Sequence, residues 1–141
     1  MPKSSKTLII DTNLWISYLL GGKCYDIISE ILIDESFTIF SCKELQKEIN
    51  EVRLRPKLKR YFSSKQITDF IKIFNERTIV INLDSKLLQS FPRDPKDAYL
   101  LALCMQTQSN LLLSGDKDLL SLNHFHQTQI VSINYFANHF L

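Results

Sequence analysis

Short apolar runs alternate along this chain with longer stretches in which apolar residues recur every three or four positions. Thr7 to Ile10 is a short apolar run, the pattern of a strand covered on both faces. Leu14 to Leu20 reads as a short helix closed by Gly21-Gly22. Tyr25 to Ile33 then sets Ile27, Ile28, Ile31 and Leu32 on one helical stripe. Phe37 to Phe40 is β-prone and predicts a second strand. Ser41, with Glu44 three residues on, has the form of a capping box opening a helix through about Leu54, which Pro56 stops. Ser63 with Gln66 opens another helix, with Ile67, Phe70, Ile71 and Phe74 facing inward.

Thr78 to Ile81 predicts a third strand. Asp94-Pro95 is a strong helix start, Asp as N-cap and Pro at the first helical position. The helix that follows, to about Thr107, is apolar nearly all round and so belongs deep in the core. Leu111 to Leu113 is a fourth strand, broken by Ser114-Gly115-Asp116. Ile130 to Ile133 as strand and Tyr135 to Phe140 as helix close the chain. Strands alternating with helices imply a parallel sheet of four to five strands with right-handed crossovers, hence a three-layer α/β/α sandwich.

Composition narrows this only by exclusion. The 141 residues, 45% hydrophobic and 23% charged, suit one globular domain with a core of its own. A net charge of +2 excludes a strong nucleic-acid field over the whole molecule, though not a local basic patch. Cys24, Cys42 and Cys104 are odd in number and far apart, so they read as small buried hydrophobes rather than a disulfide framework or a thiolate zinc site. The basic start, Met1 to Thr7, leads into too few apolar residues for a signal peptide. No apolar stretch reaches the roughly 20 residues that span a bilayer. A cytoplasmic protein is the expectation.

The acids fall in an informative pattern. In open parallel sheets function gathers at the carboxyl ends of the strands. Asp11 ends the first strand, and Asp116 and Asp118 directly follow the fourth. Asp94 and Asp97 open the buried helix that leads into that fourth strand, and Glu48 lies one turn beyond Glu44. Such carboxylates converging in one concavity repel unless a cation neutralises them, and Mg²⁺ or Mn²⁺ suits an all-oxygen site. A site of that kind activates water and stabilises charge in a phosphoryl displacement. Plainer roles stand beside this one. Asp94 is well explained as an N-cap and Asp97 as a partner of the helix dipole. One of Asp116 and Asp118 suits an N-cap, and Glu48 suits a solvated helix face. Asp11 is hardest to explain away, because a carboxylate ending a buried strand needs partners.

Taken in order, several segments resemble the PIN domain. They are Ile9-Ile10-Asp11-Thr12-Asn13, Ser41 to Glu48 with Arg55-Pro56-Lys57, Arg93-Asp94-Pro95-Lys96-Asp97 with its Ala/Leu-rich helix, and Leu113-Ser114-Gly115-Asp116-Lys117-Asp118-Leu119-Leu120. The resemblance is closest to bacterial PIN proteins of toxin–antitoxin pairs. It implies a single PIN-like domain over residues 1–141 with metal-dependent ribonuclease activity on RNA. It also implies an acidic quartet of Asp11, Glu48, Asp97 and Asp116 as catalytic residues and ligands to Mg²⁺ or Mn²⁺. Asn13, Asp94 and Asp118 would support them. The implied mechanism is hydrolysis by a metal-activated water, leaving products with a 5′-phosphate. A protein antitoxin and a second copy of the chain are the candidate protein partners.

Arg53, Arg55, Lys57, Lys59 and Arg60, next to Tyr61 and Phe62, form a basic segment suited to RNA phosphates, to an acidic antitoxin segment, or simply to solvent. His124 and His126 read as surface histidines, and Trp15, Tyr18 and Leu19 as core or dimer contact. Two rival functions remain open at this level. One is a catalytically inactive domain that binds RNA or a partner. The other is a haloacid-dehalogenase-type phosphatase, which also begins with an Asp after its first strand but wants a second Asp where this chain has Asn13.

Overall fold

Leu8, Ile9 and Ile10 have no solvent exposure at all, as an apolar run covered on both faces demands. They belong to the strand at the middle of the sheet. The structure is a computed structural model that describes residues 5–91 and 95–141. Its first half runs β1 (Lys6–Ile10), α1 (Thr12–Leu20), α2 (Lys23–Ile33), β2 (Phe37–Ser41), α3 (Lys43–Arg53), α4 (Pro56–Lys59), α5 (Ser64–Arg77) and β3 (Thr78–Val80). The second half runs α6 (Ser85–Gln89), α7 (Pro95–Thr107), β4 (Leu111–Leu113), α8 (Lys117–Leu120), β5 (His124–Phe125), β6 (Thr128–Val131) and α9 (Ile133–Phe140).

The strands form one sheet in the order β3-β2-β1-β4-β6-β5. β1 pairs in parallel with β2 on one side and β4 on the other, and β3 and β6 extend the parallel set outward. The chain therefore steps from β1 to β2 to β3 in one direction, then returns across the sheet to β4 and β6. Helices flank this sheet, and α3 and α7 meet through the Tyr99–Glu48 hydrogen bond. The point where the direction reverses lies between β1 and β4, and a crevice opens outside the strand ends at such a place.

Packing follows the sequence periodicity except at Ile71, expected to face inward on α5 but 43% exposed. Trp15 of α1, 1% exposed, meets Tyr18, Phe70 and Phe74 edge-on, with ring centroids 5.1–6.2 Å apart. Trp15, Tyr18 and Leu19 are thus core residues. Ala98 to Cys104 of α7 are all buried, as an all-round apolar helix should be. Gly21 and Gly22 hold φ of +94° and +83° between α1 and α2, where an L side chain would be strained. Arg77 closes the far end of the sheet: its Nε donates to the Leu32 carbonyl at 2.6 Å, and Nη2 donates to those of Asp34 and Phe37 at 3.2 Å.

Several expectations need correction. Beyond the five parallel strands lies the two-residue strand β5, antiparallel to β6, too short to show an alternation in sequence. The Ser41–Glu44 capping box does not form. Ser41 pairs with Val80 and its carbonyl accepts from Ile81, which draws it into β2 and leaves Cys42 at the N-cap without a side-chain bond. Ser63 does cap α5 through the Gln66 amide, but the Gln66 side chain donates instead to the Leu19 carbonyl at 2.7 Å. Pro56 starts α4 as well as following α3. The last strand ends at Val131, because Ser132 caps α9 and Ile133 is already helical. The expected cap at Asp94 lies outside the described residues.

Candidate active site at the β1–β4 rim

Asp11 follows β1 at the switch point, and its amide donates to the Leu113 carbonyl at the end of β4 at 2.9 Å. It occupies the N-cap position of α1, where an aspartate usually accepts from the first free amides of the helix. Here the side chain makes no such bond. Its Oδ2 accepts instead from Ser114 Oγ at 2.8 Å, across the strand boundary. The residue has no solvent exposure. A wholly buried carboxylate that declines the cap it could make is a costly arrangement for a fold that needed only a helix start.

One short hydrogen-bond line runs outward from Asp11 and another from its chain neighbour Thr12. On the β4 side, Ser114 Oγ also accepts from the Asp116 amide at 3.0 Å, so one buried hydroxyl joins the Asp11 carboxylate to the loop that carries Asp116. Asp116 then caps α8, its Oδ1 accepting from the Asp118 amide at 2.8 Å. On the α7 side, the neighbouring residue Thr12, fully buried, shares a hydrogen bond with the Tyr99 hydroxyl at 3.1 Å. That hydroxyl donates to Glu48 Oε2 on α3. Burial, and next to it the bond to Glu48, holds the Tyr99 phenol far above its ordinary range, so it stays protonated and serves as a donor. Both Glu48 and Asp11 act electrostatically on it.

Ser114 thus joins Asp11 to the Asp116 loop, and Tyr99 joins Thr12, next to Asp11 in the chain, to Glu48. Asp97 is buried, at 9% exposure, in the first turn of α7, two residues before Tyr99. Asp118 is exposed in the first turn of α8, and Asn13 is exposed in the first turn of α1. Asp94 lies outside the described residues. Among the basic residues, Arg53 does not share the Glu48 flank. Five residues of helix turn it about 140° away, and its Nε donates to Asn50 Oδ1 at 3.1 Å. Arg55, Lys57, Lys59 and Arg60 are exposed around α4, and His124 and His126 are exposed as expected.

Sequence reasoning overlooked Thr12, Tyr99 and Ser114 as site residues. Tyr99 sits inside an apolar helix and carries no local signal. Ser114 is flagged only by its place between a strand and Gly-Asp. Their roles exist only once β1, α3, α7 and the β4 loop meet.

The donor set suits a hard divalent cation, being made of carboxylates and hydroxyls. Among the described residues no three His, Cys, Asp or Glu side chains stand as a ready-made cage. Mg²⁺ does not require one. It binds through one or two carboxylates, keeps waters and completes its shell with substrate phosphate oxygens.

Fold and rim together define an α/β domain with carboxylates at a topological switch point. The chain belongs to the PIN domain family, whose model matches residues 7–118, from β1 into α8. PIN domains are in general nucleases that use divalent metal ions. This assignment removes the ground for the phosphatase alternative. Two solved structures share the fold. VapBC2 from Rickettsia felis, bound to a DNA fragment from their promoter, aligns with a TM-score of 0.59 and 11% identity over 89% of this chain and 98% of that one. A domain of a functionally unknown protein from Methanocaldococcus jannaschii DSM 2661 aligns with a TM-score of 0.60 and 15% identity over 91% of each chain. At these identities the likeness is one of fold. No curated protein sequence matches the chain. Among the described residues, no helix is long and apolar enough to cross a membrane.

Proposed function

We propose that this PIN domain is a Mg²⁺- or Mn²⁺-dependent endoribonuclease of the cytoplasm, the toxin of a type II toxin–antitoxin pair. The observation that carries the reading is the Asp11 carboxylate. It is buried, makes no helix-cap bond, and accepts from the Ser114 hydroxyl that also takes the Asp116 amide, while its chain neighbour Thr12 leads through Tyr99 to Glu48. The likeness to the VapBC2 complex supports the toxin–antitoxin part of the reading.

When bound, the metal would activate a water and stabilise charge on the phosphate and on the leaving oxygen, giving products with a 5′-phosphate. Asp11, Glu48, Asp97 and Asp116 would be its ligands. The chain's own contribution is orientation. Ser114 ties Asp11 Oδ2 to the backbone of the loop that carries Asp116. Tyr99, kept protonated by its burial, presents Glu48 from a rigid helix. Asp116 uses Oδ1 as a cap, which orients its carboxylate. Supporting shells of this kind hold ligands near the productive geometry before substrate arrives.

The test is cleavage of single-stranded RNA by the purified protein. Cutting should require Mg²⁺ or Mn²⁺ and stop in EDTA. Asp11→Asn or Asp116→Asn should abolish cutting while circular dichroism shows an intact fold. Robust cutting in EDTA overturns the metal-dependent reading, and metal-independent RNA binding without turnover would identify an inactive binding domain instead.

A further inference from the structure

The fold and the proposed chemistry leave one strongly charged surface unused. From residue 52 to residue 68 the sequence holds Arg53, Arg55, Lys57, Lys59, Arg60 and Lys65 and no acid at all, in a chain whose net charge is only +2. Lys65 pairs with Asp69 at 3.9 Å. Arg55, Lys57, Lys59 and Arg60 make no ion pair among the described residues. They surround the single turn α4, which is anchored by Leu58, half-buried against the core. With Leu58 inward and 100° per residue, Lys57 and Lys59 flank the outer side and Arg60 lies across from the anchor, since Arg60 keeps a helical conformation (φ −69°, ψ −18°). All four cations are exposed. Beside them Tyr61 is 55% exposed, with the Arg60 guanidinium 5.1 Å from its ring centroid and Arg60 Nη2 donating to its hydroxyl at 3.2 Å.

This turn directly follows α3, the helix that carries Glu48. Arg55 comes seven residues, about two helical turns, after Glu48. Leu54 keeps a helical conformation at the C-cap, so the chain leaves α3 on the same side as Glu48, roughly 10 Å further along the axis. Unpaired cations on a tight turn, an exposed aromatic ring among them and a rim of carboxylates beyond are what a single-stranded nucleic acid fits. Its phosphates follow the cations, and a base stacks on the ring. The ring gives a base a stacking surface beside the cations that hold its phosphate.

We propose that the α4 turn, formed by Arg55, Lys57, Lys59 and Arg60 with Tyr61, docks single-stranded RNA beside the bond to be cut. The inference rests on the ribonuclease reading for the position of that bond. Its test does not require cleavage. Binding of a fluorescent oligouridylate to the full chain, in EDTA over a salt series, is compared between wild type and a Lys57→Ala/Lys59→Ala/Arg60→Ala variant. Each phosphate contact contributes about 0.7 to the slope of log affinity against log salt for a single strand. Three lost contacts should lower the slope by about two and weaken binding about a hundredfold at ~0.1 M salt. Tyr61→Ala should weaken binding about tenfold with little change of slope. Under cleavage conditions the triple variant should lose kcat/KM through KM.

An unchanged affinity and slope in a variant that still cuts RNA overturns the docking surface and leaves the nuclease intact. Salt-sensitive binding lost in the variant, in a protein whose wild type never cuts, upholds the surface and removes the nuclease. Unchanged oligouridylate binding with lost binding of polyglutamate assigns the turn to an acidic protein partner and overturns the RNA assignment.

Discussion

Tyr99→Phe isolates one atom of the rim. The hydroxyl it removes donates to Glu48 and shares a hydrogen bond with the fully buried Thr12, while the ring, 5% exposed, keeps its packing. A hydrogen bond to a charged group contributes roughly 1.5–3 kcal/mol, and the partners left behind lose water they cannot recover. The expected loss is about 2 kcal/mol of stability without metal. For a chain of this length that lowers Tm by about 6–8 °C. A cycle with Glu48→Ala separates the bond from the general effect of the substitution. The two changes should be non-additive by about 1–2 kcal/mol in urea unfolding. Additivity within about 0.4 kcal/mol would refute the Tyr99–Glu48 bond as the source of the loss. Under the proposed function the same variant should also bind Mn²⁺ about 10–100-fold more weakly in titration calorimetry, because Glu48 loses the donor that orients it.

Further outcomes follow from other parts of the molecule. Millimolar Mn²⁺ should raise the Tm of the wild type by ligand linkage, about 2.7 kcal/mol when the ion is at a hundred times its Kd, and an Asp11→Asn/Asp116→Asn variant should lose most of that response in differential scanning fluorimetry. Arg77→Lys replaces a planar donor to three carbonyls with a point charge, and should cost about 2 kcal/mol in urea unfolding. Burial pushes the Cys42 thiol up to about 11 and the Cys104 thiol up to about 12, from 9.0. The folded state therefore keeps these protons after the unfolded chain has released them. That stability is complete below about pH 9 and fades as pH rises toward about 12, so chemical unfolding at alkaline pH should show a falling midpoint, reduced in a Cys42→Ala/Cys104→Ala variant.

Much of the architecture was legible along the chain because each signal is local. β1 reads from its apolar run, α1 from the stripe that Gly21-Gly22 ends, and α7 from its unbroken apolar surface; none of these depends on a distant partner. Boundaries failed where a distant partner intervened. Ser41 looks like a helix cap until β3 pairs with it, and Ile133 looks like strand until Ser132 caps α9. The strand β5 exists only because β6 lies beside it, since two residues carry no period of their own.

The same division runs through the candidate site. That carboxylates follow β1 and β4, and that cations crowd after α3, is written in residue order. Strand ends and helix starts are where a parallel sheet exposes its functional edge. Which of those acids share a rim, and what holds them, needed contacts spanning 51 residues between Tyr99 and Glu48, 87 between Thr12 and Tyr99, and 103 between Asp11 and Ser114. A hydroxyl inside an apolar helix carries no sign of its partner until the chain closes around it. Nearest-neighbour chemistry thus chose the elements, and tertiary packing alone decided that Tyr99 and Ser114, two residues without any charge, would hold the charged ones in place.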